Sequence, residues 1–190
     1  ETPGRERTAH LNHAGSSLMP IPVADALFGW QREEEFRGGY ETVDRYQDKL
    51  DNFYDATARL LNCGRDEVAF IENATRAWDM AFYALDLGPG DRILTTESEY
   101  GSNMIAYLHR AKHTGCEVAI VPNDSHGQID VAALDRMVDE RVKLISISHV
   151  PTGGGLVNPA AAVGQVARRH GVPYLLSACR APGQVPREGR

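Results

Sequence analysis

Residues able to bind or react gather in five short segments: ENATR (72–76), TESEYGSN (96–103), VPNDSHG (121–127), SHVPTGGG (148–155) and SACRAPGQ (177–184). In ENATRAW, Ala74, Thr75 and Arg76 open a predicted helix. First-turn amides and the positive end of a helix dipole make an anion site suited to a phosphate; capping of the helix by Asn73 or Thr75 is the competing reading. Tyr100 offers an aromatic face that either stacks on a planar ring or packs within its own loop. His149 has the chemistry of a general acid or base, and equally that of a hydrogen-bonded structural histidine. Gly153, Gly154 and Gly155 let the backbone approach a ligand. No helix opens at them, so the dinucleotide fingerprint is not met. His109 and His113 are spaced i, i+4, as metal ligands can be, and His10 and His13 form a second pair. Neither carries the glutamate of H-E-x-x-H, LHRAKH reads as a solvent face, and no metal site is expected.

These segments matter because of the elements that must position them. Val23, Leu27 and Trp30 recur at helical spacing until GGY, where the helix should stop. A second helix is expected through ETVDRYQDKLDNFYDATARLLNCG, with Val43, Leu50, Tyr54, Ala58 and Leu61 as its stripe and Gly64 as its stop. From there β-rich runs and amphipathic helices alternate. EVAFI, RILTT, EVAIV, VKLISIS and VPYLL are the expected strands, and the helix before VPYLL should begin at Pro159. Such βαβ units build a parallel sheet through right-handed crossovers. The expected fold class is α/β, three-layered αβα with a mostly parallel sheet of at least five strands. Its domain organisation is an N-terminal arm with helices over 1–64 and an α/β domain over 65–190. In open sheets of this kind ligands sit outside the carboxyl ends of the strands, where the five segments fall.

Composition narrows the function classes. A chain of 190 residues carrying a net charge of −6 gives no electrostatic reason to expect nucleic acid or an anionic membrane. No window has the apolar length of a membrane span. Cys63, Cys116 and Cys179 are too few and too far apart for a disulfide framework, and ETPGRERTAHLNHAG lacks the pattern of a secretory signal, so a cytoplasmic location is expected. Lysine is scarce, with Lys49, Lys112 and Lys143 the only examples.

Taken in order, LNHAG, GGY, FIENATRAW, ESEYGSN, SHVPTGGGLVNP and YLLSACRAPGQVP resemble the large domain of the class V aminotransferase and cysteine desulfurase family. These are fold-type I enzymes using pyridoxal phosphate, and the resemblance is nearest to isopenicillin-epimerase-like and ergothioneine C–S-lyase-like members. It implies that Thr75 and the amides around Ala74 and Arg76 hold the cofactor phosphate and that Tyr100 stacks on the pyridine ring. It further implies that His149 and Thr152 line the floor and that His13 and Ala14 lie near the substrate carboxylate.

Departures from the family pattern carry as much information. Ser177 stands where the family has an aspartate whose charge keeps the pyridine nitrogen protonated, making the ring an electron sink. Arg180 replaces a glutamine that contacts the phenolic oxygen, and Gly153 replaces an asparagine of the floor loop. The family's Schiff-base lysine falls after the last residue here, and none of the three lysines is placed to replace it. The resemblance therefore implies a truncated, degenerate relative unable to do Schiff-base chemistry alone. No cofactor is expected for this chain by itself, and pyridoxal phosphate is expected if the full family assembly is present. The former cofactor pocket would bind another small molecule, or support cofactor-independent catalysis by His149, Tyr100 and Arg180. Part of an active aminotransferase, epimerase or C–S lyase is the alternative, and a non-catalytic interaction subunit the third. Expected partners are a small-molecule ligand and either a second copy or a paralogous subunit.

Overall fold

The computed structural model describes residues 2–13, 16–153 and 155–185. The chain divides into two compact units, Glu1–Ala69 and Phe70–Arg190. The division falls inside EVAFI.

In the first unit, α1 spans Ile21–Arg37, with a proline in its first turn, where a missing N–H costs nothing. It ends at Gly38, whose φ of +90° suits only glycine. A Cβ there would also lie 2.7 Å from Glu41 Oε2. The single second helix expected from the sequence is two helices, α2 (Gly39–Arg45) and α3 (Gln47–Leu61). The break is Tyr46, with a non-helical φ of −117° and ψ of 26°. Its ring is flanked by Lys49 Nζ at 4.2 Å and the Arg45 guanidinium at 5.7 Å from the centroid. The stop is Asn62, not Gly64. Asn62 takes the left-handed conformation at φ 51°, and Cys63 N donates to Ala58 O at 3.0 Å, closing the last turn. Gly64 instead opens a 3-10 turn, Arg65–Glu67, by donating its N–H to Glu67 Oε2 at 2.6 Å.

The second unit carries the sheet: α4 (Ala74–Tyr83), β1 (Arg92–Thr96), α5 (Gly101–Thr114), β2 (Glu117–Val121), α6 (Val131–Met137), β3 (Val142–Ser148), α7 (Ala160–His170) and β4 (Tyr174–Ser177). Among the described residues the sheet has four strands, all parallel, in the order β2-β1-β3-β4. The fifth expected strand, EVAFI, is absent. Val68 has strand-like dihedrals, φ −103° and ψ 126°, but a strand is defined by a ladder, and none of the sheet's pairings includes this segment. Helix α7 starts one residue after the expected Pro159, which is its N-cap.

Side-chain alternation along the strands divides the core between two helical layers. Leu94, Ile145 and Ile147 pack with Leu134 of α6 and with Val163, Val166 and Ala167 of α7. Ile93 and Leu144, one residue out of phase, pack with Trp78 and Phe82 of α4 and with Ala106 and Tyr107 of α5. The result is the expected three-layer αβα arrangement. At the upper end of the α4/α5 face this alternation delivers Thr95, Ser146, Ser148 and Ser177, so the sheet turns polar there. Ser148 and Ser177 are register partners on adjacent strands.

Candidate active site at the carboxyl ends of the strands

The winding direction reverses between β1 and β3: the chain goes from β1 to β2 on one side, then returns past β1 to β3 and β4. A crevice opens at the carboxyl ends where such a reversal occurs. Three of the five polar segments, those after β1, β3 and β4, border it.

Two residues from different segments meet there. The Arg180 guanidinium, after β4, lies over the Tyr100 ring, after β1, 5.1 Å from its centroid. That is within the range of a favourable cation–π contact. Tyr100 keeps 39% of its surface exposed, leaving aromatic area for a ligand. His149 is fixed through its backbone, donating its N–H to Ser177 O at 3.0 Å and accepting from Asn158 N at 2.8 Å. Thr152 is exposed on the loop three residues further on. Gly153 is not required by packing, since a Cβ added there meets nothing within 4 Å.

Helix α4 runs against the strands. The segment following it, Leu85 to Leu87, lines a shallow open depression of about 390 Å³ with Val142, Lys143 and Pro173, at the amino ends of β3 and β4. Its own amino end, with Ala74, Thr75 and Arg76 all exposed, therefore faces the carboxyl side. Asn73 Oδ1 accepts the Arg76 N–H at 2.9 Å and caps the helix. One first-turn amide is thus engaged, while the Thr75 side chain stays exposed. His13 belongs to the first unit, 3.1 Å from Ser17 Oγ and stacked edge-on with His10. Ala14 lies outside the described residues. His109 and His113 are exposed on α5, with ring centroids 4.4 Å apart, and Tyr83 OH is 3.1 Å from His109 Nδ1.

Sequence reasoning passed over two residues that organise this end of the sheet. Glu99, directly before Tyr100, accepts from Thr95 Oγ1 at 3.2 Å, Asn103 Nδ2 at 3.0 Å, the Tyr100 N–H at 2.7 Å and Ser148 Oγ. Tyr107 OH lies 3.4 Å from the same carboxylate and 2.7 Å from Ser146 Oγ. Burial, reinforced by the Glu99 charge, pushes the Tyr107 phenol well above its ordinary pKa, so it stays protonated. Asn158, only 1% exposed, pins the loop after β3 by donating to Ser148 O at 2.8 Å and accepting from Ile129 N at 3.1 Å. An acidic residue two positions before the start of α5 was the available signal for Glu99. Nothing local marked Asn158.

The fit to pyridoxal phosphate is divided. The exposed α4 terminus and the Tyr100 face suit a phosphate on a planar ring. The two contacts that make that cofactor reactive are not supplied by these residues. Ser177 offers no charge to a ring nitrogen. Lys143 Nζ is bonded to Glu140 O at 2.9 Å, beyond the amino end of β3; Lys112 is on the exposed side of α5; and Lys49 is in α3. Within Phe70–Arg190, no described lysine stands at the carboxyl ends.

A model of the aminotransferase class-V family matches residues 9–186. A probable cysteine desulfurase of Methanothermobacter thermautotrophicus is 27% identical over 179 residues, covering 93% of this chain and 44% of that protein. The cysteine desulfurase of Haloferax volcanii is 28% identical over 170 residues, covering 85% and 40%. Among solved structures, the cystine C-S lyase C-DES in complex with its reaction product cysteine persulfide superposes with a TM-score of 0.87 at 22% identity, covering 98% of this chain and 51% of that one. An apo cysteine desulfurase from Thermococcus onnurineus gives 0.80 at 19% identity, covering 92% and 45%. The chain spans about half the length of the relatives it matches. With the parallel sheet, its flanking helix layers and the match over 9–186, the chain belongs to the class-V aminotransferase family.

Proposed function

We propose that these residues form the cofactor-side half of a pyridoxal-phosphate-type large domain, which by itself binds a planar aromatic anion non-covalently and does no Schiff-base chemistry. The observation carrying this reading is the Arg180 guanidinium over the exposed Tyr100 ring, beside a strand that ends on Ser177 in place of a carboxylate. A cation there favours an anionic ring over a pyridinium. Tyr100 supplies the stacking surface, Ser177 a neutral hydrogen-bonding hydroxyl, and the Thr75 hydroxyl with the α4 terminus a seat for a phosphate or carboxylate. His149 and Thr152 border the crevice as candidates for proton handling.

Calorimetric titration of the full chain with pyridoxine 5′-phosphate, which lacks the aldehyde, and with pyridoxal 5′-phosphate tests this. Comparable affinities, no stoichiometric borohydride-trapped adduct and a loss of about tenfold or more in Arg180→Ala are expected, tenfold being about 1.4 kcal/mol. A stoichiometric lysine adduct, or no binding of either compound, overturns it.

A second reading is favoured by the family match and by relatives named cysteine desulfurases. In it, residues outside these 190 supply the lysine, and the assembled protein is a pyridoxal-phosphate enzyme of the aminotransferase, epimerase or C–S lyase kind. Native mass spectrometry separates the two: a heavier chain or assembly retaining pyridoxal phosphate supports the second. The same measurement tests the proposal of a second copy or a paralogous subunit as partner, which β4 at the sheet edge supports.

A further inference from the structure

The carboxylate of Glu99 draws hydrogen bonds from β1, β3, α5 and the turn that joins β1 to α5, at the crevice between β1 and β3. Thr95 belongs to β1, Ser148 to the last position of β3, Asn103 and Tyr107 to α5, and the Tyr100 amide to the turn joining β1 to α5. A carboxylate offers about four lone-pair directions, so these groups saturate it. Two of them sit at or beside candidate site residues: the Tyr100 amide is bonded directly, and Ser148 immediately precedes His149. The carboxylate also lies at the start of α5, where negative charge is favoured by the helix dipole. A helix cap alone would need one or two bonds within its own turn; here the bonds span 49 residues of sequence, from Glu99 to Ser148.

We propose that Glu99 is the positioning residue of this site, holding the turn after β1 against the end of β3 so that the Tyr100 ring meets Arg180. It touches no ligand itself. The proposal rests on the Tyr100–Arg180 site described above. In Glu99→Gln the shape is kept, but an NH2 replaces one acceptor oxygen and faces donors. The turn must then move, carrying the Tyr100 ring off the guanidinium. Glu97, two residues earlier, serves as the control, because it is exposed and its carboxylate accepts from Asn123 Nδ2 at 2.9 Å, a partner outside the Glu99 network.

The test is the arginine side-chain NMR spectrum of the unliganded full chain, in which the Tyr100 ring current displaces the Arg180 Nε–H signal. Tyr100→Leu defines the undisplaced position. In Glu99→Gln the signal should move most of the way to that position, and in Glu97→Gln it should stay. Methyl signals of Ile145 and Val163 in the opposite core layer should be unchanged in both. An unmoved Arg180 signal in folded Glu99→Gln overturns the proposal, as does collapse of the core methyls in step with it, or a wild-type signal already at the Tyr100→Leu position. Should Glu99→Gln fail to fold, Ser148→Ala removes one donor and leaves the carboxylate; a partial move supports the proposal and no move overturns it. A Glu99-dependent stack in a chain that binds no pyridoxine 5′-phosphate sinks the binding reading alone. Intact binding with a Glu99-independent stack sinks this one alone.

Discussion

Phe82 in α4 and Phe36 in α1 are the same side chain on helices of one protein, yet the first is fully buried and the second 82% exposed. The contrast holds for the two units at large. In Phe70–Arg190 the helices find a sheet, and Ile93, Leu94, Ile145, Ile147 and Val163 are all sealed from solvent. In Glu1–Ala69 the three helices bury only Thr42 and Ala58, while Val23, Leu27, Phe28 and Leu61 stay exposed. An amphipathic stripe states what a helix wants to bury. A sheet with two usable faces is what lets four helices bury theirs at once.

Stability measurements sharpen this comparison most directly. Ile145→Ala should cost about 3 kcal/mol by removing methyls from a packed layer that cannot fully collapse, whereas Phe36→Ala should stay within about 0.5 kcal/mol. Urea denaturation of both variants checks this, and equal losses would mean the units share their stability. Asn158→Ala should cost about 2 kcal/mol, since it leaves Ser148 O and Ile129 N buried without their partner. Faster hydrogen exchange at the His149 loop, with α1 unaffected, should accompany it. Asn73→Ala should cost about 1 kcal/mol through loss of the α4 cap, read from the same denaturation curves.

The sheet unit also carries groups whose titration makes stability depend on pH. Burial raises the Tyr107 and Tyr174 phenols above their ordinary values in the folded chain, with the Glu99 charge adding to the effect at Tyr107. The unfolded chain loses these protons first. Stability is therefore fully present below about pH 10 and falls as pH rises above it. Tyr107→Phe should shallow that alkaline decline by up to about 1.4 kcal/mol per pH unit, measured as the midpoint of urea unfolding against pH. Hydrogen bonds from His170 and Arg169 hold the Asp135 carboxyl below its usual range, an effect of opposite sign. That contribution is present at neutral pH and is lost as pH falls below about 4, so Asp135→Asn should slightly flatten the acid limb.

Much of the fold could be read from the chain itself, because its strongest signals are local. RILTT, EVAIV, VKLISIS and VPYLL are β-rich runs bounded by turns, the last forming its ladder over Tyr174–Ser177, and α5 and α7 show apolar periods ending at Gly115 and Gly171, both at positive φ. The αβα class, the placing of Tyr100 and His149 after strands and that of Ser177 at a strand end followed from those patterns, while the family followed from the resemblance of the ordered motifs. EVAFI misled because a strand needs a neighbour, and strand propensity describes one segment at a time. The long second helix misled because the break at Tyr46 leaves no gap in the apolar stripe.

What the tertiary structure alone decided is which of the polar segments meet, and how. Strand order put the ends of β1 and β3 side by side at the reversal point, and the turn after β4 carried Arg180 onto Tyr100, 80 positions earlier in the sequence. Glu99 and Asn158 looked like ordinary loop residues in the sequence. Their role depends on donors and acceptors delivered by other elements, and a hydrogen-bond network among distant segments exists only once the backbone has brought those segments within about 3 Å.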